Sequence, residues 1–217
     1  MRLLEQMLLL KYRSEIHPMG KKHRILQAAV QLFAKKGYSK ATISQIARKA
    51  DVAEGTVYEY FKNKEDLLLS ISEGRFKNHL EQLKLTFTNN DSKKKLRLFM
   101  QNHFQQYLDD HDFLVVFLTN IQFNRRFYKS RAYKSQYKYV MELERLVQGI
   151  IDDGNAAPDI NLRVFRNMFL GAFTHMTLRW FMVNHGRKYN KMEEIEKVAG
   201  LLSDAISLRN HDPDIVA

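Results

Sequence analysis

The chain contains no cysteine among its 217 residues, which removes disulfides, zinc–thiolate sites and thiol nucleophiles together. That absence fits a reducing compartment, and the expected location is cytoplasmic. Three prolines and nine glycines are too few for a turn-rich β fold, whereas Leu, Lys and Phe are abundant. No alternating run of Val, Ile and Thr reads as a strand. No stretch reaches the roughly 18 to 20 apolar residues of a membrane span. The opening MRLLEQMLLLKYR is broken by Glu5 and Gln6 and is followed by no small-residue cleavage site, so neither a membrane nor a leader role is expected of it. A Gly-rich phosphate loop, a His-Glu-x-x-His and a Gly-x-Ser-x-Gly are also missing, so no catalytic residue, metal site or cofactor is nominated. Asp109-Asp110-His111-Asp112 holds metal-ligand residue types, but adjacent residues rarely converge on one ion, and helix capping accounts for them better.

What is present is helical periodicity and positive charge. The net charge is +11 with a pI near 9.7, a balance that favours a polyanionic partner. Between residues 21 and 66 ten basic residues face five acidic ones, so nearly half the excess sits in about a fifth of the chain.

Residues 1–18 read as an extension, helical or disordered, interrupted at His17-Pro18. It is a frayed tail, or the result of a start codon upstream of the natural one at Met19, or an arm that packs on a partner subunit or touches DNA. A first helix is expected from about 21 to 36 with Ile25, Ala28, Ala29, Leu32 and Phe33 inward, ended by Gly37 with Tyr38 closing the cap. Two short helices follow in the stretch TISQIARKADVAEGTVYEYFKNKED, residues 42–66. Thr42 caps the first, with Gln45 placed to reach back. Ile43, Ile46, Ala47 and Ala50 share one face, and Asp51-Val52 breaks it. A second short helix starts near Ala53 with Val57 and Phe61 inward, leaving Thr56, Tyr58 and Tyr60 outside. Such a pair of helices presents its outer face to a DNA major groove.

The ordered set Gly37-Tyr38, Thr42, Ile46-Ala47, Ala50, Val52, Gly55-Thr56-Val57-Tyr58, Tyr60-Phe61 and Lys64-Glu65-Asp66-Leu67-Leu68 resembles the DNA-binding signature of TetR-family transcriptional regulators. One departure is Asp51, where that family usually has glycine; the turn needs a left-handed residue, and Asp tolerates that region better than most. The resemblance implies that Thr42, Ala53, Glu54, Gly55, Thr56, Tyr58, Tyr60 and Lys64 face double-stranded operator DNA. Thr42, Tyr60 and Lys64 would hold phosphates, and Glu54, Thr56 and Tyr58 would lie nearest the bases.

Asn63 caps a long fourth helix running toward residue 89, the mechanical link to a larger helical half. Further helices are read at about 93–109, 112–120, 127–151, 161–184 and 191–206. The expected fold is all-α, of about nine helices: a helix-turn-helix domain at 19–66 and a ligand-binding and dimerisation domain at 67–217. The helix at 161–184 is apolar nearly all round, so it should be buried on several sides. In the family likeness one side of it lines a ligand cavity and the other joins the last helix in a homodimeric four-helix bundle. His103, Tyr107, Asn120, Tyr137, His175 and Trp180 are polar or amphipathic residues set among these stripes, and they are the candidates for such a cavity. Internally satisfied core groups are the plain alternative.

Between Phe123 and Tyr139 six basic residues occur without an acid, interleaved with aromatics. A solvated face, a nucleic-acid contact and a site for coenzyme A phosphates are all open. Asn102-His103-Phe104, Asp110-His111, Leu162-Arg163, Gly171 and Trp180 make this half similar to the acyl-CoA-responsive repressors of fatty-acid degradation in the same family. That likeness implies a ligand-released repressor whose effector is a small hydrophobic molecule such as a fatty acyl-CoA. A dimeric architectural DNA-binding protein without effector, a regulator answering a hydrophobic drug-like compound, and a ligand-binding or catalytic protein retaining the DNA motif as a relic remain alternatives.

Overall fold

The structure is a computed structural model and describes residues 20–87, 91–183 and 190–207. The extension at 1–18 and the end expected for the helix at 161–184 lie outside these residues. Among the described residues there are nine α-helices and no strand, so the fold is all-α. Contacts divide the chain into a unit ending at Ile71 and a unit starting at Ser72.

In the first unit α1 is Lys21–Lys36, α2 is Ile43–Lys49 and α3 is Glu54–Tyr60. Ile25, Ala28, Ala29 and Phe33 of α1 are buried with Ile46 and Ala47 of α2, Val57 of α3 and Phe61, the inward set read from periodicity. Leu32 is only half-buried. Gly37 sits at φ +80° and donates its N–H to the Phe33 carbonyl at 2.9 Å. The Tyr38 ring packs edge-on against Phe33 at 5.3 Å. Thr42 accepts from the Gln45 N–H at 3.2 Å, but Gln45 does not reach back, and its Oε1 is buried without a partner.

The α2–α3 turn explains why Asp51 stands where glycine is usual. Val52 N–H bonds the Ala47 carbonyl at 3.1 Å and Asp51 N–H the Arg48 carbonyl at 3.3 Å, the two bonds of a Schellman stop. This motif puts the residue after the C-cap in the left-handed region, and Asp51 has φ +54°, the one non-glycine positive φ among the described residues. Arg24 supports it from α1, with Nη2 on the Asp51 carbonyl at 3.4 Å and Nη1 3.6 Å from the carboxylate.

α4 spans Lys64–Thr86 and contains the unit boundary. The sequence boundary at 66/67 marks the first turn of this helix; Leu67, Leu68 and Ile71 are buried and belong to the first unit. In the second unit follow α5 (Ser92–Leu108), α6 (His111–Val116), α7 (Arg131–Asp152), α8 (Leu162–Leu178) and α9 (Lys191–Ile206). α5 packs against both α7 and α9. Each of these five starts at a side-chain cap: Asp91, Asp110, Ser130, Asn161 and Asn190 each accept a backbone N–H three residues on, at 2.7 to 3.2 Å. Asp110 therefore caps, as expected of the acidic run.

Two expected helices differ. The stretch from 127 is a short 3-10 turn, Phe127–Lys129, and α7 begins only after Ser130, whose extended backbone and capping hydroxyl start a new helix. α6 continues past Val116 as a π-helical turn, Phe117–Ile121. α8 also ends in a π-helical turn, Arg179–Val183. It buries Phe165, Phe169, Phe173 and Thr177, while Val164, Met168, Gly171 and Leu178 form an exposed, largely apolar row. On α9, Leu201 is 70% exposed and Met192 is also exposed.

The Schellman turn yields a direct test. Asp51→Val forces a β-branched residue into the left-handed region and should lower the unfolding free energy by about 1 to 2 kcal/mol. In Asp51→Gly the relieved backbone and the added chain entropy roughly cancel, leaving stability within about 0.5 kcal/mol. Urea unfolding measures both, and a valine variant as stable as the parent would refute the account.

Candidate functional site

Two groups of residues carry chemistry, one in each unit. The first is the outer side of α3. Burial of Val57 and Phe61, four residues apart, fixes the helix's rotation and turns the other positions outward. Ala53, Glu54, Gly55, Tyr58 and Tyr60 are exposed, Tyr58 by 53%, and Thr56 is half-buried. No side chain caps the start of α3, where Ala53, Glu54 and Gly55 are exposed. A ligand with hydrogen-bonding edges and phosphates can approach that surface closely.

Lys64 behaves differently from the phosphate-holding role expected of it. Its ammonium donates to the carbonyls of Tyr38, Ser39 and Ala41 at 2.9, 3.3 and 3.0 Å and lies 4.5 Å over the Tyr38 ring. All three of its hydrogens are engaged, because the loop after Gly37 leaves three carbonyls without helical donors. Lys64 staples the start of α4 to the α1–α2 loop. Thr42 has its hydroxyl on the Gln45 N–H.

The second group lies inside the second unit. His103 of α5 is 3% exposed and is walled by aromatic rings: Phe99 and Tyr139 stacked at 6.3 and 5.6 Å, Phe173 edge-on at 4.3 Å, Phe169 at 5.1 Å and Tyr107 at 5.4 Å. His103 Nδ1 is 3.1 Å from the Tyr139 hydroxyl, and Gln106 Nε2 donates to the same hydroxyl at 3.2 Å. Burial, reinforced by nearby His79, pushes His103 down to about 3, so the ring is neutral. His79 is pushed down to about 4, by burial first and the Arg75 cation second. Burial pushes both Tyr107 and Tyr139 up. Arg75 lies over the Phe113 ring at 4.4 Å and pairs with Asp110.

Of the six interior candidates, His103, Tyr107 and Trp180 are buried and linked by rings; Phe104 bridges His103 to Trp180, whose N–H donates to Glu194 at 2.6 Å. Asn120, Tyr137 and His175 are not brought into this cluster. Asn120 sits half-buried in the π turn and donates to Thr119. Tyr137 is 48% exposed and His175 is exposed. Each is two residues from the helix stripe that points inward, Tyr139 on α7 and Phe173 on α8, and two residues turn a helix by roughly 200°. Gln106, Arg75 and His79 went unnoticed in the sequence, and Tyr139 was noticed only as an aromatic of the basic run. Tyr139 is in register with Leu143, Leu146 and Ile150, and His79 with Phe76 and Leu83; following those stripes would have found them.

The basic run on and before α7 is a surface feature. Arg125, Arg126, Lys129, Arg131, Lys134 and Lys138 are all exposed, beside Phe123 at 76% exposure and Tyr128.

Comparison with known proteins joins the two halves. Residues 25–71 match the model for bacterial regulatory proteins of the tetR family, and residues 72–205 match that for the C-terminal region of YsiA-like proteins. The chain belongs to the TetR family. The fatty acid metabolism regulator protein of Bacillus subtilis is 28% identical over 184 residues, spanning 84% of this chain and 94% of that protein. Among solved structures, the fatty acid degradation regulator FadR from Bacillus halodurans superposes with a TM-score of 0.78 at 27% identity, covering 89% of this chain and all of that one. FadR from B. subtilis in complex with stearoyl-CoA gives 0.77 at 28%, covering 85% of this chain and 98% of that one. The chain is a transcriptional regulator and not an enzyme, as its relatives are. No helix among the described residues is long and apolar enough to cross a membrane.

The neutral histidines inside this TetR-family chain make its stability pH-dependent. Their folded pKa values lie below the ordinary 6.5, so the unfolded chain binds more protons, and stability rises with pH. The contribution is complete above about pH 6.5 and is lost as pH falls toward 4. Between pH 7 and 5 each histidine should cost about 2 kcal/mol. Chemical denaturation at both pH values checks the loss, and His79→Asn should remove about half of it.

Proposed function

We propose that the protein is a homodimeric repressor that binds a palindromic operator and is released from it by a fatty acyl-CoA. The observation that carries the DNA reading is α3, whose exposed Ala53, Glu54, Gly55, Tyr58 and Tyr60 stand over the buried pair Val57 and Phe61. On this reading Glu54, Thr56 and Tyr58 meet base edges, and Thr42 and Tyr60 hold phosphates. Lys64 acts by holding the loop that carries Thr42, and its charge adds to the basic field. Two copies would read half-sites one helical turn, roughly 34 Å, apart.

The exposed row of Val164, Met168, Gly171 and Leu178 on α8, with Leu201 on α9, supports a dimer through the two C-terminal helices of each protomer. The likeness to a regulator solved with stearoyl-CoA and the aromatic interior around His103, Phe104 and Trp180 support an acyl chain as the buried part of the effector. The exposed cations from Arg125 to Lys138 suit the phosphates of its coenzyme A part. α4 carries residues of both units, so a shift imposed on its second half by a ligand passes along a continuous helix to its first.

Two measurements test this reading. Tyr58→Ala should weaken operator binding at least a hundredfold in a gel-shift titration while sedimentation still finds a dimer; a monomer would refute the placement of the motif. Stearoyl-CoA should release DNA from the parent protein, and Trp180→Phe should change the concentration required more than it changes DNA affinity. The close ring packing around His103 favours a second reading, a dimer without effector. Failure of every acyl-CoA and every apolar compound to release DNA would select it.

A further inference from the structure

The interior cluster contains two buried polar atoms, His103 Nε2 and Gln106 Oε1, that have no hydrogen-bond partner among the described residues. They lie three residues apart on α5, on side chains that are 3% and 8% exposed. Unpaired buried groups of this kind are rare and call for a partner.

The chemistry of that partner follows from the proton positions in the His103–Tyr139–Gln106 circuit. His103 is neutral, so one ring nitrogen carries hydrogen and the other a lone pair. The Gln106 amide nitrogen is 3.2 Å from the Tyr139 oxygen and 3.4 Å from His103 Nδ1, so with the amide donating toward both, Nδ1 holds the lone pair and also accepts from the Tyr139 hydroxyl. His103 Nε2 then presents N–H, a donor, and Gln106 presents its carbonyl, an acceptor. With the amide turned over, Tyr139 donates to the Gln106 oxygen and His103 Nδ1 donates to Tyr139. His103 Nε2 is then the acceptor and the Gln106 amide the donor. The assignment of the amide therefore does not matter. Either arrangement leaves one donor and one acceptor.

We infer that the site takes an apolar ligand bearing a hydroxyl group, such as a hydroxylated long-chain acyl group, whose O–H pairs with His103 and Gln106 together. The inference rests on the reading that this interior receives the effector. A carbonyl or carboxylate only accepts, and an ammonium only donates, so each leaves one buried atom unpaired. A trans amide has both functions, but they point in opposite directions. A hydroxyl has both on one atom and can turn to suit either arrangement. Water shares that ability, but Phe99, Phe169 and Phe173 around His103 offer it no hydrogen bond, whereas an apolar chain gains contact with them. A hydroxyl carried on an apolar chain needs only the two.

The test is calorimetric titration of the full-length protein with stearoyl-CoA and with its counterparts bearing a single hydroxyl at successive chain positions. A site built around a hydroxyl disfavours the analogue that lacks it. At one position the hydroxylated compound should bind at least tenfold more tightly than stearoyl-CoA. That ratio should fall to near one in Gln106→Leu, or in Tyr139→Phe if the leucine variant does not fold. Equal binding of all the compounds to the parent protein would overturn the inference and leave the acyl-CoA reading standing. A preference that survives both variants would also overturn it, because the hydroxyl would be read elsewhere. Binding by none of the compounds would overturn both.

Discussion

One helix must be buried at both of its ends, and much else depends on how α4 meets that demand. Leu67, Leu68 and Ile71 are buried in its first part, and Phe76 and Leu83 in its second. At 3.6 residues per turn these two sets lie on different sides of the helix, so no single apolar stripe runs its length. The apolar side chains hold each part of the helix in its own core. The polar anchors are also divided: Lys64 grips three carbonyls near the beginning, and Arg75 pairs with Asp110 further along.

In the first unit the local chemistry was legible because each step uses a residue with one strong physical preference. Gly37 at positive φ, Thr42 at an N-cap, and Val57 and Phe61 at helical spacing each do what their side chains favour. Asp51 was legible for the opposite reason: it stands where its backbone is strained, and the two Schellman bonds require that strain. Lys64 was not. Its charge and place in the motif pointed to phosphate, whereas three carbonyls freed by the turn after Gly37 engage its ammonium. Sequence spacing does not reveal which backbone groups lack partners.

In the larger unit the helices were legible and their rotations less so. The stripe Tyr139, Leu143, Leu146, Ile150 points inward on α7, yet Tyr137 was the tyrosine singled out, because a polar tip among apolar residues drew more notice than the register beneath it. His175 was chosen over the Phe173 stripe in the same way. The break at Ser130 depends on one hydroxyl competing for a backbone N–H, a local contest that average periodicity cannot resolve. The π turns after Val116 and Leu178 have no sequence signal of comparable strength.

Charge and neutrality are divided between surface and interior. The cations of the first unit and of the segment from Arg125 to Lys138 are mostly exposed, where they act over several ångströms and are weakened by salt. Inside, burial keeps His103 and His79 unprotonated and Tyr107 and Tyr139 un-ionised, so the cluster around His103 presents hydrogen-bond direction rather than charge. The distinction matters if, as proposed, the regulator must both capture and identify a ligand. An exposed cation field gathers phosphorylated compounds with little regard to what they carry. On the proposed reading, a neutral interior with one donor and one acceptor disfavours charge and is sensitive to a single oxygen, because leaving either atom unpaired costs more there than at the surface.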